Sequence, residues 1–201
     1  MSDYNPKCDE ISVNGSREIA LRTKHFSKRR LFINGDIDED TARHFMYEYM
    51  YLVEESNLPI DIYINSPGGS VSDGLVIIDL IESSPVEIRT IACGMAASMA
   101  SVILASGHKR YILPHSKVMI HEPRISSGSA TKSATDIEEV AKRILETKQV
   151  VNEIISKKCN KTIEEINEKT KRDCFMNSNE AIEFGIVDEI ISGPFIKGGD
   201  V

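Results

Sequence analysis

The chain has 201 residues, 41% of them hydrophobic and 27% charged, with a formal net charge of -7 and a mean hydropathy of -0.21. That composition excludes a disordered segment and suits one α/β domain with a filled core. The acidic balance argues against a nucleic-acid binder, because the basic run Arg22, Lys24, Lys28, Arg29 and Arg30 is too short to reverse it.

Residues 1–27 are polar and mixed, and they read as a flexible N-terminal arm ahead of one domain spanning 28–201. The first residues hold no apolar leader, so the expected location is cytoplasmic. Leu31-Phe32-Ile33 is a short strand closed by Asn34-Gly35. Asp40 to Glu55 reads as a helix, with Phe45, Met46, Tyr49, Met50 and Val53 at helical spacing. Ile60 to Ile64 is a strand running into the turn Asn65-Ser66-Pro67-Gly68-Gly69. Ser70 and Asp73, spaced as a capping box, open a helix through Leu75, Ile78 and Ile81.

Thr90 to Gly107 carries no formal charge over 18 residues, the nominal threshold for a membrane span. Val86 to Ala92 alternates like a strand, however, and Ser98 to Ser106 reads as a buried helix, so no membrane association is expected. Tyr111-Ile112-Leu113 and Lys117 to Ile120 are further strands. Beyond a Ser/Gly-rich segment, Thr135 and Glu138 have capping-box spacing ahead of a long helix striped by Ile137, Val140, Ala141, Ile144, Val151, Ile154 and Ile155. Thr162/Glu165 and Asn177/Glu180 cap two shorter helices. Gly185 ends the second, before a last strand at Ile186 to Ile191. The four cysteines form no C-x-x-C pair, which excludes a zinc framework and favours free thiols.

Alternating strands and helices imply a mostly parallel sheet, and functional atoms in such folds gather where strands end and helices begin. Two junctions qualify, Asn65 to Ser70 and Cys93 to Met99. At the second, Ser98 stands at a helix N-terminus among small side chains. A nucleophile there projects into the cleft, and the Met99 N–H is free to bind a developing oxyanion. Ala/Ser-rich helices are also common packing devices. At the first junction, Gly68 and Gly69 permit positive φ and bring bare N–H groups to a bound carbonyl, although an ordinary tight turn has the same letters. Neither dinucleotide nor P-loop spacing occurs, so no cofactor and no ATP site is expected in this chain. Among five histidines, His121 ends the apolar strand Val118-Met119-Ile120, which gives the imidazole a rigid support. Asp173 lies between two capped helices, suited either to orienting an imidazole or to pairing with Arg172.

Taken together, Ile62 to Ser70, Gly94 to Ser101, Val118 to Pro123, Ala134 to Glu138, Arg172 to Met176 and Glu180 to Asp188 resemble the proteolytic subunit of the Clp protease. The resemblance runs from about Leu31 to Ile191. It implies an α/β, crotonase-like fold of stacked ββα units with a long handle helix. It also implies a serine endopeptidase with Ser98 as nucleophile, His121 as base and Asp173 as orienting carboxylate. Gly69 and Met99 would supply the oxyanion N–H groups, with Gly68 and Ile125 also against substrate. Implied partners are sister subunits in heptameric rings stacked in pairs, an AAA+ Clp ATPase that spends ATP, and unfolded polypeptides. The apolar stripe of the handle becomes ring–ring contact rather than core.

The sequence departs from that pattern in three places. Glu122-Pro123 replaces Gln-Pro and leads into a segment, Arg124 to Ser133, longer by about three residues. Lys171 stands where an acidic residue pairs across rings, and the N-terminal segment lacks an apolar run before the first strand. Alternatives in other classes are a non-catalytic subunit of a mixed ring, an acyl-CoA enzyme of the same fold, or a Ser–Lys peptidase using Lys109 or Lys117.

Overall fold

A computed structural model of the chain describes residues 6–13, 15–124 and 133–193. The segment read as a polar arm carries regular structure: β1 (Lys7–Ser12) pairs antiparallel with β2 (Gly15–Ala20), followed by α1 (Leu21–Phe26). Of the described residues of this pair only Ile19 is buried, and Ile11 and Val13 are fully open to solvent. This matches the missing apolar run, since such a ribbon has little core of its own.

The body is a sheet in which β3 (Arg30–Ile37), β4 (Ile60–Gly69), β5 (Ile88–Ala97), β6 (Lys109–Ile112) and β9 (Glu189–Ile190) lie side by side and parallel. Two short strands extend its far side: β7 (Lys117–Ile120) pairs parallel with the end of β5, and β8 (Cys174–Met176) pairs antiparallel with β7. Strands β4 and β5 run on past the points where the sequence suggests turns. Their pairing survives because each ladder slips at a shared line. Asn34↔Asn65 is followed by Asp36↔Gly68, and Ile64↔Ala92 by Ser66↔Ala96. Such irregularities bend a strand and increase its twist. Below the line, Arg89 to Ala92 pair with β6; above it, Met95 to Ala97 pair with β7. Gly94, at φ +91°, sits at the fork.

Helices α2 (Glu39–Glu55), α3 (Val71–Glu82), α4 (Met99–Ser106), α5 (Ala134–Cys159), α6 (Ile163–Thr170) and α7 (Ser178–Phe184) cover the sheet. In α2 the core face is Ala42, Phe45, Tyr49 and Leu52, while Met50 is exposed. Every residue of α4 is buried, so the uncharged stretch from Thr90 is a strand and a core helix. Among the described residues no helix is long and apolar enough to cross a membrane. Two of the three expected capping boxes downstream form as spaced, at Thr162/Glu165 and Asn177/Glu180. The third lies two residues earlier than expected: Ser133 accepts from the Asp136 N–H at 3.1 Å, and the Asp136 carboxylate accepts from the Ser133 N–H at 2.9 Å. Thr135 is therefore inside the first turn of α5. Ser70 caps α3 by accepting from Asp73 N, giving half of the expected box.

The apolar stripe of α5 divides. Val151 and Ile155 are buried in the main core, which corrects the expectation that the whole stripe faces another ring, whereas Ile137 is exposed, as is Leu145 beside the stripe. Arg110 ties this end of the molecule together. Its Nη1 donates to Lys158 O at 2.9 Å and Gly185 O at 2.8 Å, the carbonyl ends of α5 and α7, while its Nε and Nη2 hold Asp188. On the opposite side, Arg89 Nε donates to Asp61 Oδ1 at 2.6 Å between the first residues of β5 and β4, and both side chains are largely buried.

Candidate active site

Ser98 is placed by the tip of β5 and the first turn of α4. Its N–H donates to Met119 O at 2.8 Å, extending the β5–β7 ladder by one residue. Its backbone then turns at φ +54°, ψ -126°, a conformation that costs a non-glycine residue about 1–3 kcal/mol. The turn aims the hydroxyl away from the helix it precedes: Ser98 makes no side-chain cap bond, and Oγ lies 2.8 Å from His121 Nε2. In the tautomer that lets the hydroxyl donate, Nε2 accepts and the proton rests on Nδ1. The other histidines lie elsewhere. His108 Nδ1 accepts from Ile88 N, His25 packs edge-on to Phe32, and His44 and His115 are exposed.

His121 follows the last residue of β7, and Glu122 N–H donates to Thr170 O at 2.8 Å, fixing the segment against the end of α6. Asp173 immediately precedes β8, and because Ile120 pairs with Cys174, His121 and Asp173 face each other one step beyond the ladder. That three-residue strand had no sequence signal, yet it brings the carboxylate to the histidine. The contact is incomplete. His121 Nδ1 is 3.9 Å from Asp173 Oδ1, too long for a hydrogen bond, and is buried with no hydrogen-bond partner among the described residues. Asp173 Oδ1 instead accepts from Arg124 Nη2. Arg172, its expected alternative partner, is not the residue that holds it. Burial, then the positive charge of Arg124, push the His121 pKa down, against Asp173 and Glu122, which raise it.

Around the hydroxyl, the backbone closes in. A Cβ on Gly68 would sit 2.6 Å from both Ala97 O and Ser98 Cβ and 3.0 Å from Met99 N, and Gly68 is at φ +98°. Only glycine lets β4 lie so near the elbow. The two glycines divide their roles. Gly68 is buried and donates its N–H to Ser66 Oγ at 3.1 Å, whereas Gly69 is exposed and so tightly set against the backbone of Ile37 that no side chain fits. Met99, the first residue of α4, has an N–H with no acceptor within the helix. Ile125 lies outside the described residues, as does most of the longer segment after Pro123. Lys171 pairs with Glu168 of its own helix at 2.5 Å. Lys109 pairs with Glu87 at the opposite end of β5 from Ser98, and Lys117 is exposed, so neither takes the place of His121. No cluster suited to a metal ion occurs among the described residues. A cavity of about 530 Å³, lined by Lys161, Phe175, Met176 and Phe184 among others, is bounded by neither Ser98 nor His121.

The Clp protease family profile matches residues 13–194. The chain belongs to the Clp protease family. Clp relatives align over nearly its whole length. It is 38% identical to the ATP-dependent Clp protease proteolytic subunit of Carsonella ruddii (strain PV) over 94% of this chain and 96% of that protein. It is 37% identical to the protein of the same name from Ligilactobacillus salivarius (strain UCC118), covering 92% and 94%. It is 40% identical to ATP-dependent Clp protease proteolytic subunit 3 of Synechococcus sp. (strain CC9605), covering 89% and 90%. The fold is accordingly the Clp-type, crotonase-like α/β arrangement, with α5 as its long handle.

Proposed function

We propose that the chain is a serine endopeptidase subunit that hydrolyses peptide bonds through an acyl-enzyme on Ser98. The carrying observation is the 2.8 Å approach of His121 Nε2 to a strained, uncapped Ser98 Oγ. In this reading His121 takes the hydroxyl proton as Oγ attacks the scissile carbonyl, then delivers it to the leaving amine. The developing oxyanion sits between the N–H groups of Gly69 and Met99, Gly68 serving to let the strand approach. Asp173 orients the imidazole and stabilises its cation when the two are in contact. The chain itself uses no cofactor.

The relatives are named proteolytic subunits of an ATP-dependent protease. By extension, this subunit assembles into heptameric rings, stacked in pairs, in the cytoplasm. There a partner AAA+ ATPase spends ATP to unfold polypeptides and pass them to the enclosed sites. The exposed apolar residues of α5, Ile137 and Leu145, support a contact between rings.

The test is labelling of purified protein with a fluorophosphonate probe, read by intact mass, for wild type, Ser98→Ala and His121→Ala. One adduct on wild type, lost in both variants, is the expected result. An adduct that persists in Ser98→Ala overturns the assignment.

A further inference from the structure

Asp173 faces two partners, and it is bonded to the one the reaction does not use. Arg124 Nη2 donates to Asp173 Oδ1, while the His121 ring nitrogen aimed at that oxygen stands off at 3.9 Å. The imidazole side is enclosed, with His121 12% exposed, so Nδ1 is cut off from solvent as well as from its carboxylate. The guanidinium side is open, with Arg124 62% exposed. The segment carrying both residues is held at two further points. Glu122 N–H donates to Thr170 O at 2.8 Å, and the Glu122 carboxylate pairs with Lys148 of α5 at 2.7 Å. Both ties are made by Glu122, two residues ahead of Arg124, and they hold the start of that segment within reach of Asp173.

We propose that Arg124 is a positioning residue that withholds Asp173 from His121, so that the subunit rests with Ser98 and His121 coupled and the carboxylate diverted. This rests on the peptidase reading above. Arg124 touches no reacting atom; it acts through Asp173. An ion pair this exposed is weak, because solvent and salt screen it. It therefore biases the triad between two arrangements rather than blocking one, and anything that competes for the guanidinium returns Asp173 to the imidazole. The groups facing His121 are Ser98 from the β5–α4 elbow, Asp173 from the α6–β8 turn, and Arg124 and Glu122 from its own segment, with Lys148 behind Glu122. Loss of Arg124 removes a cation from this set and frees the carboxylate that faces Nδ1.

Arg124→Gln is the test, with Arg124→Lys beside it, assayed on a short fluorogenic peptide from pH 5 to 9 at low and high salt. Releasing a surface ion pair is expected to raise kcat about two- to fivefold on the pH plateau with KM unchanged. It should also move the acidic limb of kcat/KM upward, because the imidazolium is then better stabilised. Wild type should gain activity with salt and Arg124→Gln should not. Arg124→Lys keeps the charge but not the planar fork, so its acidic limb should stay near that of wild type. A gain on the plateau with a loss at the acid end is a signature that a purely structural contact does not produce. Hydrogen exchange at the histidine C2 position, read by mass spectrometry, follows the His121 titration without needing activity. An unchanged His121 titration in Arg124→Gln overturns the proposal, as does an unchanged or lowered plateau rate. Should the titration shift while neither wild type nor variant labels with fluorophosphonate, the diverted carboxylate stands and the peptidase reading fails.

Discussion

His121 and Asp173 occupy facing positions one step beyond the β7–β8 ladder, yet their nearest nitrogen and oxygen are 3.9 Å apart. The backbone has already placed the two side chains for a hydrogen bond that the side chains do not make. The nucleophile half of the site is by contrast closed, with Ser98 Oγ and His121 Nε2 at 2.8 Å. In the proposed mechanism, the contact for proton abstraction from Ser98 is thus in place while the contact that would stabilise the resulting imidazolium is not.

The first prediction concerns pH. In the proposed mechanism His121 must be neutral to act as base, and its pKa is held below the ordinary value of 6.5 by burial and then by Arg124. The acidic limb of kcat/KM for the wild type should therefore fall below pH 6.5, as a pH–rate profile on a short peptide would show. The same shift affects stability. Between the lowered folded value and 6.5 the unfolded chain binds the proton first, so stability rises with pH across that window and the full penalty applies below it.

Gly68→Ala should inactivate without unfolding. The new methyl meets Ala97 O and Ser98 Cβ at 2.6 Å, in a backbone conformation that alanine resists. A misplaced elbow loses oxyanion contacts, so the rate should drop by about 100-fold or more. The strain should lower stability by about 1–3 kcal/mol. Peptide hydrolysis and a thermal melt on the same sample separate the two effects.

Arg89→Met should leave Asp61 as a buried carboxylate without its hydrogen-bonded cation, with the charge of Arg30 still acting on it. Burial already raises the Asp61 pKa despite Arg89. Removing one partner of such a pair typically costs about 3–5 kcal/mol. A raised carboxylate pKa means that stability is lost as pH rises through it, so the defect should shrink near pH 4.5. Denaturant melts at pH 7 and pH 4.5 would test this.

Arg110→Lys should not be conservative. The guanidinium reaches Lys158 O, Gly185 O and the Asp188 carboxylate at once, a set of partners that the compact ammonium of lysine cannot span. Leaving carbonyls at two helix ends unsatisfied should cost about 2–3 kcal/mol in a urea titration.

Much of this was legible in the chain itself. The strand–helix order and the caps at Thr162 and Asn177 follow from spacing, whereas the pairing of Ser98 with His121 comes from the resemblance to the Clp family, which spacing alone leaves open. What escaped was set by tertiary pairing. The tip of β4 continues as strand because Ile37 offers it a partner, although Asn65 to Gly69 has the letters of a turn. The three residues of β8 have no periodicity long enough to detect, and only β7 makes them a strand. Arg124 bonding Asp173 joins residues 49 apart in the chain, beyond the reach of any local pattern. The cap of α5 was misplaced because Ser133/Asp136 and Thr135/Glu138 share one spacing, and only the backbone at Ser133 decides between them.

Strand β7 is four residues long and splits its hydrogen bonding between β5 on one side and β8 on the other. Its inner edge belongs to the buried body of the sheet, while its outer edge carries a three-residue strand that includes the exposed Phe175. Opening of that outer edge breaks only a three-residue ladder, but it must draw the buried Met176 out of the core, so Met176 sets most of its cost. Ser98 and His121 lie against the inner, longer side of this arrangement, whereas Asp173 precedes a strand held by one ladder and by Met176. Amide exchange should accordingly be faster at Cys174 to Met176 than at Met95 to Ala97, which pair with the opposite edge of the same strand.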